Sequence, residues 1–503
     1  MQPLPEETLA AAWRHAGFTP DGVARLLGPL AETLLATGSR VPARAALDAA
    51  GTADQELAVW VRLFVLGERV DAADLTSRGP TGEPDVVVLL VALGLTESDG
   101  TTVTPLVTVA PVDLGDRTGW AVSDRLVPGV APGPEHVVGV GAATRTLDTL
   151  TVRPRPGDRL LDVGTGGGYL ALRAAAAGAR VVATDVNPRA LALTGLGADL
   201  SAVSIDLWRG SLFEPVRGQF DRIVSNPPFV VSGRTGAERT TYRDGGAAGD
   251  ALVAELLRGV GEHLAPGGTA QLLANWEHLG GEDWRQRVGG WVDTDLDLWV
   301  VQRDAADPAT YVDTWLRDGG AHPAAGREEF EAQAARWLGD LEDRGVSAIG
   351  MGHVTVRRPG ADEPAGAPWR RLEDADGLGS GRLGDHVAAV LDAVALLRPA
   401  LVDDEALLAA TVVVAADVTE VRHHRPGAGQ PEVIELVQGG GYARTVRAST
   451  GLSAVVGACD GELPLGVLVD AVAGLLDVDA TGLRTELVPQ LRELIETGML
   501  APA

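Results

Sequence analysis

The stretch that most constrains this chain is Arg159–Pro188, RLLDVGTGGGYLALRAAAAGARVVATDVNP. It opens with a short apolar strand, RLLDVG, and turns through Gly164, Gly166, Gly167 and Gly168. An alanine-rich helix, YLALRAAAAG, follows, and then a second apolar strand, RVVATDV. Strand, helix and strand within thirty residues can close only as a parallel βαβ unit with its helix packed on one face. Such a unit requires a buried parallel sheet, so the chain must contain an α/β domain.

The alternation continues from about 151 to 360, which predicts a doubly wound α/β sheet. A third strand is expected near VSIDLWRGS, a fourth in FDRIVSNPP and a fifth in TAQLLANW. The last two are DLDLWVVQRD and SAIGMGHVTVRR, with a helical insertion over Arg327–Arg344. Residues 1–115 read as helices followed by a hairpin turning at Ser98-Asp99-Gly100, a winged-helix-like pattern. Residues 116–150 read as a connector, whose VPGVAPGPEH is rich in turn formers. PGADEPAGAP (Pro359–Pro368) reads as a linker. Residues 369–503 read as a second winged-helix-like domain, with a β-rich stretch and two closing amphipathic helices. His423-His424 fits a solvated hairpin tip better than a metal site, because adjacent strand residues point to opposite faces.

The net charge is −27, and the 42 basic residues are all arginine, with no lysine. A chain that coats nucleic acid needs clustered cations to neutralise phosphates, so DNA is not an expected partner. The single cysteine, Cys459, excludes a disulfide framework and a multi-cysteine metal site, and no metal is expected. The N-terminus has no apolar secretory core, and no apolar run has the length of a membrane helix. The expectation is a cytoplasmic protein without a membrane partner.

The glycine loop lets backbone approach a ligand closely beside a helix N-terminus. Asp185 closes the second strand, where a carboxylate accepts bonds from a ribose diol. A dinucleotide is disfavoured, because Tyr169 stands where that fingerprint needs a small residue. A nucleoside triphosphate is disfavoured because no Lys-Ser/Thr follows the loop. Asp162, beneath the loop, opposes a pyrophosphate and suits a ligand with an ammonium group. These features favour a nucleoside that carries an amino acid and a sulfonium.

In FDRIVSNPPF the strand ends in a stiff corner, Asn226-Pro227-Pro228-Phe229. Two prolines fix φ and remove two donors, leaving an acceptor-rich turn beside an aromatic ring. Together, LDVGTGGGYLAL, ATDVNP and FDRIVSNPPF resemble the motifs of class I S-adenosylmethionine-dependent methyltransferases. The likeness is to the amino-methylating group with Asn-Pro-Pro-Phe/Tyr: the release-factor glutamine, small-domain ribosomal RNA guanine and adenine-N6 enzymes. It covers residues 137–360. It implies a seven-stranded Rossmann-like sheet whose last strand is antiparallel, and S-adenosyl-L-methionine as cofactor. By the resemblance, Asp162, Gly164, Thr165, Gly166 and Gly168 line the methionine part and Asp185 and Val186 the ribose. Ser211 and Leu212 flank the adenine, although the family often has an acid where Ser211 stands. Asn226 borders the cofactor and, with the Pro227 carbonyl, accepts the two N–H bonds of a planar nitrogen. Phe229 stacks on the planar group, Pro228 lines the acceptor pocket, and Thr144 closes over the cofactor from the connector.

Beyond the corner, YRDGGAAGD resembles the GG-x-x-G stretch of the glutamine-methylating branch. It implies acceptor contacts from Tyr242, Gly245 and Gly246, or else is a plain glycine-rich loop. Arg234, Arg239 and Arg243 flank it. Three readings stay open: methylation of a protein or peptide nitrogen, methylation of a base in structured RNA, and a catalytically silent cofactor-binding scaffold acting through its terminal domains.

Overall fold

The computed structural model describes residues 4–36, 39–76, 85–126, 133, 135–231, 249–375 and 377–503. It contains two compact units. The first comprises Met1–Arg145, Pro154–Ala248 and Leu316–Phe330, and the second comprises Thr146–Arg153, Gly249–Trp315 and Glu331–Ala503. Each unit is assembled from distant stretches of chain.

In the first unit, strands β1 (Arg159–Val163), β2 (Arg180–Asp185), β3 (Ile205–Arg209) and β4 (Phe220–Ser225) are all parallel, in the order β4-β1-β2-β3. Helix α1 (Tyr169–Ala176) crosses from β1 to β2, and α2 (Pro188–Leu200) from β2 to β3. Asn187 caps α2 by accepting from the Arg189 amide, and Pro188 fits the first helical position, whose N–H has no partner in the helix. The chain steps outward from β1 to β3, then returns to the other side of β1 for β4. That reversal opens a crevice at the carboxyl ends of β1 and β4, where ligands of open α/β sheets bind.

The N-terminal helices share a core with this sheet's cover. Trp13 packs against Phe18, Trp60, Phe64 and Trp120, with ring centroids 5.3–6.0 Å apart. Ala190, Leu193 and Leu200 of α2 join the same cluster. The turn at Ser98-Asp99-Gly100 forms as expected between strands Thr96–Ser98 and Thr102–Pro105. Its Asp99 carboxylate accepts from the Thr101 and Thr102 amides, which holds the carboxyl far below its usual range. A second hairpin pairs Val107–Asp113 with Thr118–Asp124, so a strand lies where the connector was expected. Trp120 on that strand is fully buried, and its amide donates to Ser201 Oγ at 2.9 Å.

The second unit contributes four strands: β5 (Leu264–Leu279), β6 (Asp297–Ala306), β7 (Val346–Arg357) and β8 (Arg370–Asp374), in the order β5-β7-β6-β8. The seventh strand is antiparallel to the fifth and the sixth, as the resemblance implies. The eighth lies parallel to β6, pairing Leu298–Gln302 with Arg370–Asp374, a strand beyond those the resemblance implies. The stretch read as a linker is fastened: Glu363 pairs with Arg357 and Arg398, and both arginines bond the buried Asp297. Proline and glycine there make turns without making a flexible tether. The remaining elements include helices Thr450–Gly457, Leu465–Leu476 and Ala480–Glu496 beside a small antiparallel sheet. His423 sits in an exposed hairpin and bonds Glu435 at 3.0 Å. Among the described residues, no helix is long and apolar enough to cross a membrane.

Candidate active site

Strand register brings the sequence motifs together. Val163 on β1 pairs with Thr184 on β2 and with Ser225 on β4. One step further along each strand stand Gly164, Asp185 and Asn226. Neighbouring strands lie about 4.8 Å apart, so Asp185 and Asn226 sit roughly 10 Å apart across the loop.

The glycine loop is held from several sides. The Gly164 and Thr165 amides donate to the Thr184 carbonyl at 2.9 Å, and the Gly166 amide donates to Asp185 Oδ2 at 3.0 Å. Gly164, Gly166 and Gly168 have φ of 71°, 56° and 77°, a region that side chains other than glycine rarely adopt. A Cβ on Gly164 or Gly166 would meet nothing within 4 Å, so the loop faces open space there. At Gly168 the reverse holds: a Cβ would fall 2.6 Å from the Thr194 methyl. Thr194 also donates its hydroxyl to the Gly166 carbonyl at 2.9 Å, a support that sequence spacing did not reveal.

Asp162 lies under this loop and is only 2% exposed. Its Oδ2 accepts from Thr165 Oγ at 2.8 Å, and its carboxyl also accepts from the Ala171 amide in the first turn of α1. Burial nevertheless dominates and pushes the carboxyl up to about 7, with the nearby Asp185 charge adding to the rise. Asp185 is likewise raised by burial, offset by bonds from the Asn187, Gly166 and Val186 amides. Val186 is exposed at the strand end. Ser211 and Leu212 follow β3; the Ser211 amide donates to Glu214 Oε2 at 3.2 Å, and Leu212 holds φ of 45°.

At the corner, Ser225 Oγ donates to the Val163 carbonyl at 2.8 Å, tying β4 to β1. Asn226 Nδ2 donates to Thr144 Oγ at 3.1 Å. Asn226 Oδ1 is buried and has no hydrogen-bond partner among the described residues. Pro227 is buried, whereas Pro228 and Phe229 are half-buried. Tyr242, Gly245 and Gly246, with Arg234, Arg239 and Arg243, lie outside the described residues.

These features suit S-adenosylmethionine. The loop faces open space at Gly164 and Gly166, with the half-buried Asp185 carboxylate on one side and, on the other, Asn226 Oδ1, which has no partner among the described residues. Asp162 supports the loop from beneath through Thr165, and a cationic ligand in front of the loop would favour its ionised form against the burial that raises it.

Residues 140–289 match the family described as "Methyltransferase small domain", and residues 15–106 match a "Domain of unknown function (DUF7059)". A release factor glutamine methyltransferase of Deinococcus radiodurans is 46% identical over 85 residues, 16% of this chain and 29% of that protein. Another, from Gloeobacter violaceus, is 35% identical over 129 residues, 23% of this chain and 45% of that protein. A ribosomal RNA small subunit methyltransferase C of Chromohalobacter salexigens is 35% identical over 119 residues, 24% of this chain and 32% of that protein. The chain thus spans less than half the length of each of these three relatives.

Proposed function

We propose that this protein is an S-adenosylmethionine-dependent N-methyltransferase, a reading supported by the match of residues 140–289 to the methyltransferase small domain. Its acceptor is a planar amide or exocyclic amino nitrogen of a protein or an RNA. The observation that carries this reading is Oδ1 of Asn226 at the end of β4, buried and without a partner among the described residues. Burying a polar atom without a partner costs about 1–3 kcal/mol, a cost that is offset when an acceptor N–H arrives.

When bound, S-adenosylmethionine supplies an electrophilic methyl on a positive sulfur. The chain's own residues hold and orient. Asp185 takes the ribose hydroxyls, with Val186 beside them, while Gly164, Thr165, Gly166 and Gly168 shape the cleft along the methionine part. Ser211 and Leu212 flank the adenine. Asn226 Oδ1 and the Pro227 carbonyl accept the two N–H bonds of the planar nitrogen, and Pro228 and Phe229 line its pocket. These acceptors favour the positive charge that develops on nitrogen, and the two prolines keep them from reorganising during transfer. No strong base is needed beforehand, since the N–H becomes acidic once methylated.

The charge of −27 favours a polypeptide acceptor over RNA. Relatives named for each substrate match at comparable identity. The test is incubation of purified protein and labelled methyl donor with a lysate of cells lacking it, counting protein and RNA fractions separately. Label in the protein fraction, absent with Asn226→Ala, is the expected result. Label in RNA selects the other acceptor. Transfer by Asn226→Ala at more than a few per cent of wild type removes the role given to the corner.

A further inference from the structure

We propose that Thr144 is a positioning residue that sets which end of the Asn226 amide faces the acceptor nitrogen. The inference rests on the reading of Asn226 given above. A primary amide has two ends of nearly the same shape and opposite polarity. Presented oxygen first, it receives the N–H of a planar nitrogen. Presented nitrogen first, it sets donor against donor and repels the same substrate.

Three observations bear on which end is presented. Asn226 Nδ2 donates to Thr144 Oγ at 3.1 Å, so the donor end is occupied within the protein. Asn226 Oδ1 is buried with no partner among the described residues, so the acceptor end is left over. The next two residues are prolines, so neither offers an N–H that could occupy that oxygen. The Ser225 hydroxyl donates to the Val163 carbonyl and so ties the residue before Asn226 to β1. Thr144 stands in the first turn of the helix Ala142–Leu150, half-buried, 82 residues from its partner along the chain.

The role belongs to the hydroxyl oxygen as an acceptor. Serine preserves it, whereas valine keeps the shape and removes it. An amide free to turn spends part of its time donor end outward, and its oxygen is less well placed when the acceptor binds. Misplacing a positioned group can cost up to about a hundredfold in rate.

The experiment compares wild type, Thr144→Val, Thr144→Ser and Asn226→Ala. Turnover is measured at saturating S-adenosylmethionine with the acceptor fraction that the labelling experiment identifies, and cofactor affinity is measured by calorimetry. Thr144→Val should lose roughly tenfold or more in turnover at saturating S-adenosylmethionine, a larger loss than any accompanying loss of cofactor affinity. Thr144→Ser should keep at least half of wild-type turnover, and a crystal structure of Thr144→Val should show the Asn226 amide turned or in two orientations. Full turnover in Thr144→Val beside an inactive Asn226→Ala overturns the role of Thr144 and leaves the corner intact. Equal losses in Thr144→Val and Thr144→Ser also overturn it, as does weakened cofactor binding with turnover preserved. Wild-type turnover in Asn226→Ala refutes the reading of the corner itself.

Discussion

Asp162 makes the cofactor-free protein less stable as pH rises, and Asp162→Asn should remove that dependence. Burial beneath the glycine loop pushes the carboxyl up to about 7, from an ordinary value of 3.8. Below about pH 4 it is protonated in both folded and unfolded chains and adds no pH dependence. Between 4 and 7 the unfolded chain releases the proton while the folded chain keeps it. The folded state then binds more protons, so stability falls by about 1.4 kcal/mol per pH unit from this group. Above 7 the carboxyl is ionised in both states and the loss levels off at about 4 kcal/mol. Asparagine resembles the protonated acid in shape and keeps an oxygen for Thr165. The assay is urea unfolding of both proteins without cofactor from pH 4.5 to 8.5. The variant should exceed wild type by about 2 kcal/mol at pH 5.5 and by about 4 kcal/mol at pH 8. A difference that stays flat within about 0.5 kcal/mol over that range would refute the reasoning.

On the proposed reading, Asp185→Ala should weaken S-adenosylmethionine binding by about 1.5–3 kcal/mol through lost charge-assisted hydrogen bonds, read by calorimetry. Unchanged affinity would place the nucleoside elsewhere. Gly168→Ala should destabilise the first unit by about 1–3 kcal/mol, read as a lower melting temperature. The backbone there has φ of 77°, and the new Cβ would meet Thr194; a variant as stable as wild type would mean that the loop adopts another shape.

The parts of the site legible in the sequence are those whose chemistry is local. The glycines between a strand and a helix, the acid closing the next strand and the proline corner each occupy a few consecutive residues. Parallel strands then bring their ends together without further instruction. Thr144 shows where this stops: its link to Asn226 spans 82 residues and has no periodicity to announce it. Asp162 could be read as an acid near the loop, but its burial and its bonds to Thr165 and Ala171 depend on packing. Strand β8 follows a stretch whose prolines and glycines read as a linker. What fixes that stretch is the set of ion pairs of Glu363 and Asp297 with Arg357 and Arg398, gathered from distant elements. Trp120 likewise belongs to a core of N-terminal aromatic residues that composition assigned to a separate domain.

The central claim is that one crevice, running from Asp185 across the glycine loop to Asn226, holds both the methyl donor and the nitrogen that receives it. A crystal structure with S-adenosylmethionine bound tests it most directly. The account predicts ribose hydroxyls on the Asp185 carboxylate and the sulfonium methyl directed at the space in front of Asn226 Oδ1. A methyl pointing away from that oxygen, or an adenosyl group bound outside the crevice, would contradict it.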